Sequence, residues 1–167
     1  MLSGETAVGK YPIAAVSTLS HICRTTEQSL DTLSLPRPRM EIVPELRGKA
    51  AIARAMADML DDVKVKCIVI WTVTGQGARL LSKARIDVPI VSLAADEGMA
   101  RRLALYYGVL SVCYPAADSY KQWISGVENL LRQNRWADKG DKLLLIPPLA
   151  ILSEKTSGAL ILHTIDG

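Results

Sequence analysis

The chain has 167 residues, 49% of them apolar, with no Phe, three Trp and five Tyr, so its core must be aliphatic, which favours α/β layering over a β-sandwich. Twenty basic residues against 17 acidic ones give a net charge of +3, too balanced to argue for a nucleic-acid partner. No apolar run approaches the roughly 20 residues that span a bilayer, no signal peptide is visible, and three scattered cysteines without a CxxC pair, Cys23, Cys67 and Cys113, read as reduced thiols of a cytoplasmic protein.

In chain order, Met1 and Leu2 run straight into a turn, Ser3-Gly4-Glu5-Thr6. A helix is predicted after it, because Ile13, Val16, Leu19, Ile22 and Cys23 share one face and Pro12 suits a first helical turn. No earlier element offers that face a packing surface. It is therefore expected to meet a symmetry mate, to exchange between protomers, or to be mobile. Pro36, Pro38 and Pro44 then break the pattern, so the domains are read as 1–35 and 36–167. From about Glu45 to Leu60 an Ala-rich helix follows, with Leu46, Ala50, Ala53, Met56, Ala57 and Leu60 on one face.

From there the pattern alternates. Cys67 to Trp71 reads as a buried strand, Gly75 to Arg85 as a helix, and Val88 to Leu93 as a second strand. Asp96 suits the N-cap of a helix running to Tyr106, ended by Gly108, and Val109 to Cys113 reads as a third strand. Asp118 or Ser119 caps a helix whose face is Tyr120, Trp123, Ile124, Val127, Leu130 and Leu131. Leu143 to Ile146 and Ala159 to Ile165 are the last strands. Short loops between alternating elements predict a three-layer α/β sandwich with a mostly parallel five-stranded sheet. The last two strands have no helix between them, so the final one is expected to be antiparallel and at an edge. Cys67 and Cys113 sit in apolar runs and read as core. His21 and His163 have no ligand-spaced partners, so no metal site is predicted.

Several stretches carry a resemblance. Met1-Leu2-Ser3-Gly4-Glu5-Thr6-Ala7 with Tyr11-Pro12 is similar to the last strand-to-helix turn of the pyruvate kinase barrel. Trp71-Thr72-Val73-Thr74-Gly75 resembles that family's apolar strand followed by Thr-x-Ser/Thr-Gly. Ala100 to Tyr106 with Gly108-Val109 looks like its helix-to-strand join, and Lys139-Gly140-Asp141 like its late turn. The resemblance covers the whole chain in order. It implies a TIM-barrel remnant (1–35) before a C-terminal α/β domain (36–167).

The resemblance also implies what the chain lacks. In this family the parent reaction, phosphoenolpyruvate and ADP to pyruvate and ATP in glycolysis, uses a catalytic lysine, a divalent metal and a monovalent cation held earlier in the barrel. Phosphoryl transfer depends on positioned cations and in-line geometry, so no catalytic residue is assigned here and the chain is expected to be inactive alone. The family's C-terminal domain serves subunit assembly and often binds a phosphorylated effector, which implies a homo-oligomer. That effector's phosphate would sit in the turn after the first strand, at Thr72, Thr74, Gly75, Gln76 and Gly77, with Lys155 from a later loop, Ser153 to Gly158. These residue types suit anion binding. A helix N-terminus presents N–H groups and a positive dipole end, threonines add hydroxyls, and glycines admit a close anion. Members that bind sugar bisphosphate often carry a basic residue and a second hydroxyl where this chain has Val73 and Gly77, and Lys10 stands where Asp is common.

Two other readings compete. One is a complete phosphotransferase seen here as a fragment. The other is a dinucleotide-binding module, since Gly75-Gln76-Gly77 follows a strand and Asp96 lies at ribose distance. Its third glycine, however, would fall at Leu80, and Asp96 has a capping role of its own.

Overall fold

The computed structural model describes residues 1–32, 44, 47–152 and 158–166. The chain divides into two compact units, Met1–Arg37 and Pro38–Gly167. The predicted proline break lies outside the described residues, apart from Pro44.

In the first unit a single-turn helix, α1 (Gly4–Ala7), precedes α2 (Pro12–Thr32). The opening turn is self-bonded: the Ser3 N–H donates to Glu5 Oε2 at 2.9 Å, and the Thr6 hydroxyl donates to the Ser3 carbonyl at 3.1 Å. Backbone donors of Ser3 and Glu5 hold the exposed Glu5 carboxyl below its ordinary range. Pro12 opens α2, where its missing N–H costs nothing. Ile13, Val16 and Ile22, from the predicted apolar stripe, are not covered within this unit.

The second unit runs α3 (Arg47–Asp62), β1 (Cys67–Thr72), α4 (Gln76–Lys83), β2 (Ile90–Ala94), α5 (Glu97–Leu103), β3 (Val109–Cys113), α6 (Tyr120–Gln133), β4 (Lys142–Ile146), a short 3-10 turn (Leu149–Ile151) and β5 (Ile161–Thr164). The sheet order is β3-β2-β1-β4-β5. Parallel pairs join β1 to β2, β1 to β4, and β2 to β3, while β5 runs antiparallel to β4 at one edge. The architecture is the one the alternating pattern predicts.

The pleat decides which helix each side chain meets, because neighbours along a strand face opposite ways. Ile68, Ile70, Ile90 and Leu144 pack with Ala53 and Met56 of α3, Leu81 of α4 and Leu103 at the end of α5. Val69, Val91, Leu93, Leu143 and Leu145 pack with Trp123, Val127 and Leu131 of α6. Both sheet faces are thus covered, which is why these strands read as continuous apolar runs rather than alternating ones.

Helix ends follow local chemistry. Asp96 Oδ1 accepts from the Met99 N–H at 2.9 Å and caps α5. For α6 the cap is Ser119, whose hydroxyl accepts from the Gln122 N–H at 3.3 Å. Asp118 instead donates its own N–H to the Gln122 side chain. Helix α5 stops at Leu103, short of Tyr106, because the chain tightens: Leu105 N–H reaches the Arg102 carbonyl and Tyr106 N–H the Leu103 carbonyl. Gly108 at φ +69° then turns the chain into β3.

One expectation fails. Cys113 is exposed, not core. It ends β3, the outermost parallel strand, where one flank has no neighbouring strand. Cys67 is buried, and burial, aided by the charge of Asp141, pushes its thiol up to about 12. No helix among the described residues is long and apolar enough to cross a membrane.

Candidate functional site

The site grows from the end of β1. Thr72 is its last residue and only 8% exposed. Its Oγ1 accepts the Gly75 N–H at 2.9 Å, which folds Val73 and Thr74 into a tight turn. A hydroxyl that accepts still has its proton to donate. Gly75 occupies the N-cap position of α4 at φ +72°, a conformation that strains residues with a Cβ. Space forbids one as well: a Cβ there would lie 2.9 Å from Leu103 Cδ2 and 3.0 Å from Met99 Sδ. At Gly77 a Cβ would come 2.5 Å from Ile70 Cδ1. Both glycines therefore have structural reasons to be glycine.

No side chain caps α4. Its first i→i−4 bond runs from the Arg79 N–H to the Gly75 carbonyl at 3.0 Å. The Gly77 and Ala78 N–H groups precede that bond, so the helix itself offers them no acceptor. The positive end of the helix dipole lies at the same place.

The turn borders a pocket of about 360 Å³. Thr72, Val73, Thr74 and Gly77 form one wall. Ile146 to Ala150, leaving β4, form a second, and Ile52 and Ala53 of α3 a third. Gly158 and Ala159, on the approach to β5, complete the rim. The position follows from topology. The chain passes from β1 to β2 on one side, while β4 flanks β1 on the other. A crevice opens beyond the carboxyl ends of strands at such a reversal, and ligands of open α/β sheets bind there.

Of the residues singled out from sequence, Thr72, Thr74 and Gly77 line the pocket. Gly75 shapes the turn, and Gln76 is the first residue of α4 without lining the cavity. Lys155 lies outside the described residues. Sequence reasoning missed the β4 wall and the α3 wall. Pro147-Pro148 directly after an apolar strand was the available signal, since two prolines must end the strand and turn the chain. The dinucleotide reading loses ground: Asp96 is occupied with Met99, and Leu80, where a third glycine would be needed, is buried at 7% exposure.

A separate polar cluster escaped the sequence altogether. His163 Nε2 of β5 lies 2.7 Å from Glu128 Oε1 of α6, across 35 residues of sequence. Arg132, 3.9 Å from the other Glu128 oxygen, donates to the Asp166 carbonyl.

Residues 50–157 match the family described as pyruvate kinase, alpha/beta domain. The chain belongs to this family. A pyruvate kinase of Agrobacterium vitis is 34% identical over 149 residues, covering 87% of this chain and 31% of that protein. One of Sporosarcina psychrophila is 28% identical over 167 residues, covering 99% of this chain and 28% of that protein. Among solved structures, a pyruvate kinase from Cryptosporidium parvum superposes with a TM-score of 0.74 at 26% identity, over 98% of this chain and 32% of the other. A Cryptosporidium parvum pyruvate kinase in complex with ADP gives 0.66 at 25% identity, over 99% and 33%. The chain spans about three-tenths of the length of these relatives. Pyruvate kinases generally use a divalent metal. Among the described residues no group of three or more His, Cys, Asp or Glu could hold one, so the residues described do not fit that ion and no step is assigned to it.

Proposed function

We propose that this chain serves as the C-terminal regulatory and subunit-assembly domain of a pyruvate kinase, with a phosphate-effector site in the first βα turn at Thr72, Thr74, Gly75, Gln76 and Gly77, helped by Lys155. One observation carries the site: the uncapped N-terminus of α4 and the hydroxyls of Thr72 and Thr74 border the pocket at the topological switch point. The first unit is read as the last turn and helix of a TIM barrel (1–35), and residues 36–167 as the α/β domain itself. Assembly into a homo-oligomer is supported by the exposed Ile13, Val16 and Ile22 of α2, a stripe that gains by leaving water.

On this reading the chain does not catalyse phosphoryl transfer from phosphoenolpyruvate to ADP by itself. An assay coupling pyruvate to lactate dehydrogenase tests that point, and pyruvate formation by the purified chain would overturn it. Titration with inorganic phosphate tests the site. Binding is expected, weakened by Thr74→Ala, and its absence removes the effector reading. Light scattering tests assembly: a monomer at tens of micromolar contradicts it.

A further inference from the structure

Strand β3 is the outermost parallel strand, and Val109 to Cys113 hold neither a charge nor a proline. Sheet edges are ordinarily blunted by charge, proline or a bulge, because an open row of N–H and C=O groups pairs with other chains. The segments outside the described residues do not adjoin β3 in sequence; they lead into α3 and into β5, the opposite edge. The Ile90 N–H reaches the Gly108 carbonyl, and the Tyr114 N–H the Ala94 carbonyl, so the even-numbered residues of this stretch turn their backbone groups towards β2. Alternation then points those of Val109, Ser111 and Cys113 outward. The Val109 N–H is taken by the Tyr106 carbonyl at 3.3 Å. The Val109 carbonyl and both backbone groups of Ser111 and Cys113 have no backbone partner among the described residues.

We infer that β3 pairs antiparallel with β3 of a second copy of this chain, about a two-fold axis at Ser111. That centre sets every residue of the strand opposite another: Val109 against Cys113, Leu110 against Val112, and Ser111 against itself. The outward groups then match. The Ser111 N–H donates to the Ser111 carbonyl of the second copy, and the Cys113 N–H donates to its Val109 carbonyl, while the Val109 N–H needs no new partner. Exposed Leu110 gains a hydrocarbon neighbour in Val112. Charge favours a copy of this chain over an unrelated strand. Met99 and Leu103 of α5 border Gly75 at the start of α4, so Glu97 and Arg101, about half a turn round, stand on the side away from α4, towards the open edge. They pair with each other at 3.1 Å while 76% and 75% exposed. Helix α5 joins two parallel strands and so runs against both. The two-fold axis therefore lays α5 head to tail beside its copy, and Glu97 of each meets Arg101 of the other. This contact is separate from the α2 stripe and adds a second interface to the assembly proposed above.

Disulfide trapping in the full chain tests the register. With Cys23→Ser and Cys113→Ser in every chain, a Leu110→Cys chain is mixed with a Val112→Cys chain under mild oxidation, and the cross-linked species are weighed by mass spectrometry. The mixed dimer is expected to form about tenfold faster than either like pair, because opposed residues without mutual hydrogen bonds lie about 4.5 Å apart at Cα, within disulfide range. An excess of like pairs, or no cross-link, overturns the inference. Sedimentation separates this contact from the α2 stripe. Ile13→Glu with Val16→Glu removes association through α2, and dimers are expected to remain. In that background Leu110→Lys should weaken them about tenfold, the scale of one leucine side chain returned to water. Leu110 is exposed, so an unchanged far-ultraviolet circular dichroism spectrum keeps this loss distinct from unfolding. Glu97→Arg should also weaken the dimer, and adding Arg101→Glu should restore it. A monomer in the α2 variant overturns the β3 contact and leaves assembly through α2 standing. Dimers that Leu110→Lys or Glu97→Arg leaves unchanged overturn it as well.

Discussion

His163 Nε2 and Glu128 Oε1 meet at 2.7 Å and join the antiparallel edge strand β5 to α6. Both side chains are mostly buried, at 20% and 18% exposure, so the contact is shielded better than a surface pair. Loss of either partner is expected to cost about 1 kcal/mol. In a double-mutant cycle, His163→Ala and Glu128→Ala should be non-additive. Hydrogen exchange at Leu162 to Thr164 should quicken in each single variant. Additive losses with unchanged exchange would mean that the contact holds nothing.

Gly75 governs the turn through its backbone. Gly75→Ala is expected to destabilise the chain by about 1–3 kcal/mol, from a Cβ forced into positive φ and against Leu103. Gly75→Val would do more harm, so loss of binding in that variant reports folding. Thr74→Ala avoids the problem, and urea denaturation of the two variants separates the effects. Unimpaired stability in Gly75→Ala would show that the turn relaxes.

Helix propensity and packing oppose each other at Gly126. In a helix interior, Gly→Ala ordinarily gains up to about 1 kcal/mol. Here a Cβ would overlap the hydroxyl of the half-buried Tyr114 and stand 3.2 Å from its Cζ, so the ring must move aside and that gain should shrink or vanish. Adding Tyr114→Phe removes the overlapping oxygen and should restore part of the gain. A thermal melt of single and double variants decides it.

The cysteines divide by reactivity. Cys23 and Cys113 are exposed, and Cys67 is buried with its thiol pushed up to about 12. A thiol reagent should label two sites in the native chain and the third only in denaturant. The same shift sets a pH dependence. Above the ordinary value of 9.0 the unfolded thiol loses its proton while the folded one keeps it until about 12. Folding then retains the extra proton, so stability is full below pH 9 and falls between 9 and 12, by up to about 1.4 kcal/mol per pH unit. Cys67→Ala should flatten that alkaline limb relative to the parent chain. Rapid labelling of Cys67 in the native state would contradict both expectations.

Much of the architecture was legible because local and tertiary demands agree. Val109 to Cys113 is bounded by Gly108 and largely apolar, and it forms β3 over that span. The two-sided burial of β1 and β4 left no alternation to misread. What escaped depends on contacts between distant segments. Exposure of Cys113 follows from β3 being outermost, a property of strand order and not of its own residues. The pairing of His163 with Glu128 needs β5 to lie beside α6. At the site, the turn announced itself through Thr72 to Gly77, whereas Ile52 and Ile146 to Ala150 look like ordinary core and loop until the sheet brings them to it.

The reversed direction of β5 has a geometric outcome. Ile161 pairs with Leu145, so the strand starts beside the carboxyl end of β4, and Gly158 and Ala159 arrive at the rim of the pocket. A parallel fifth strand would have come in from the far end of the sheet and left that rim open. One inverted strand therefore separates two kinds of change. Substitutions in the parallel strands disturb the scaffold. Substitutions on the approach to β5 redraw one border of the cavity and leave the sheet pairing intact. The border of the cavity can thereby change while the fold holds still.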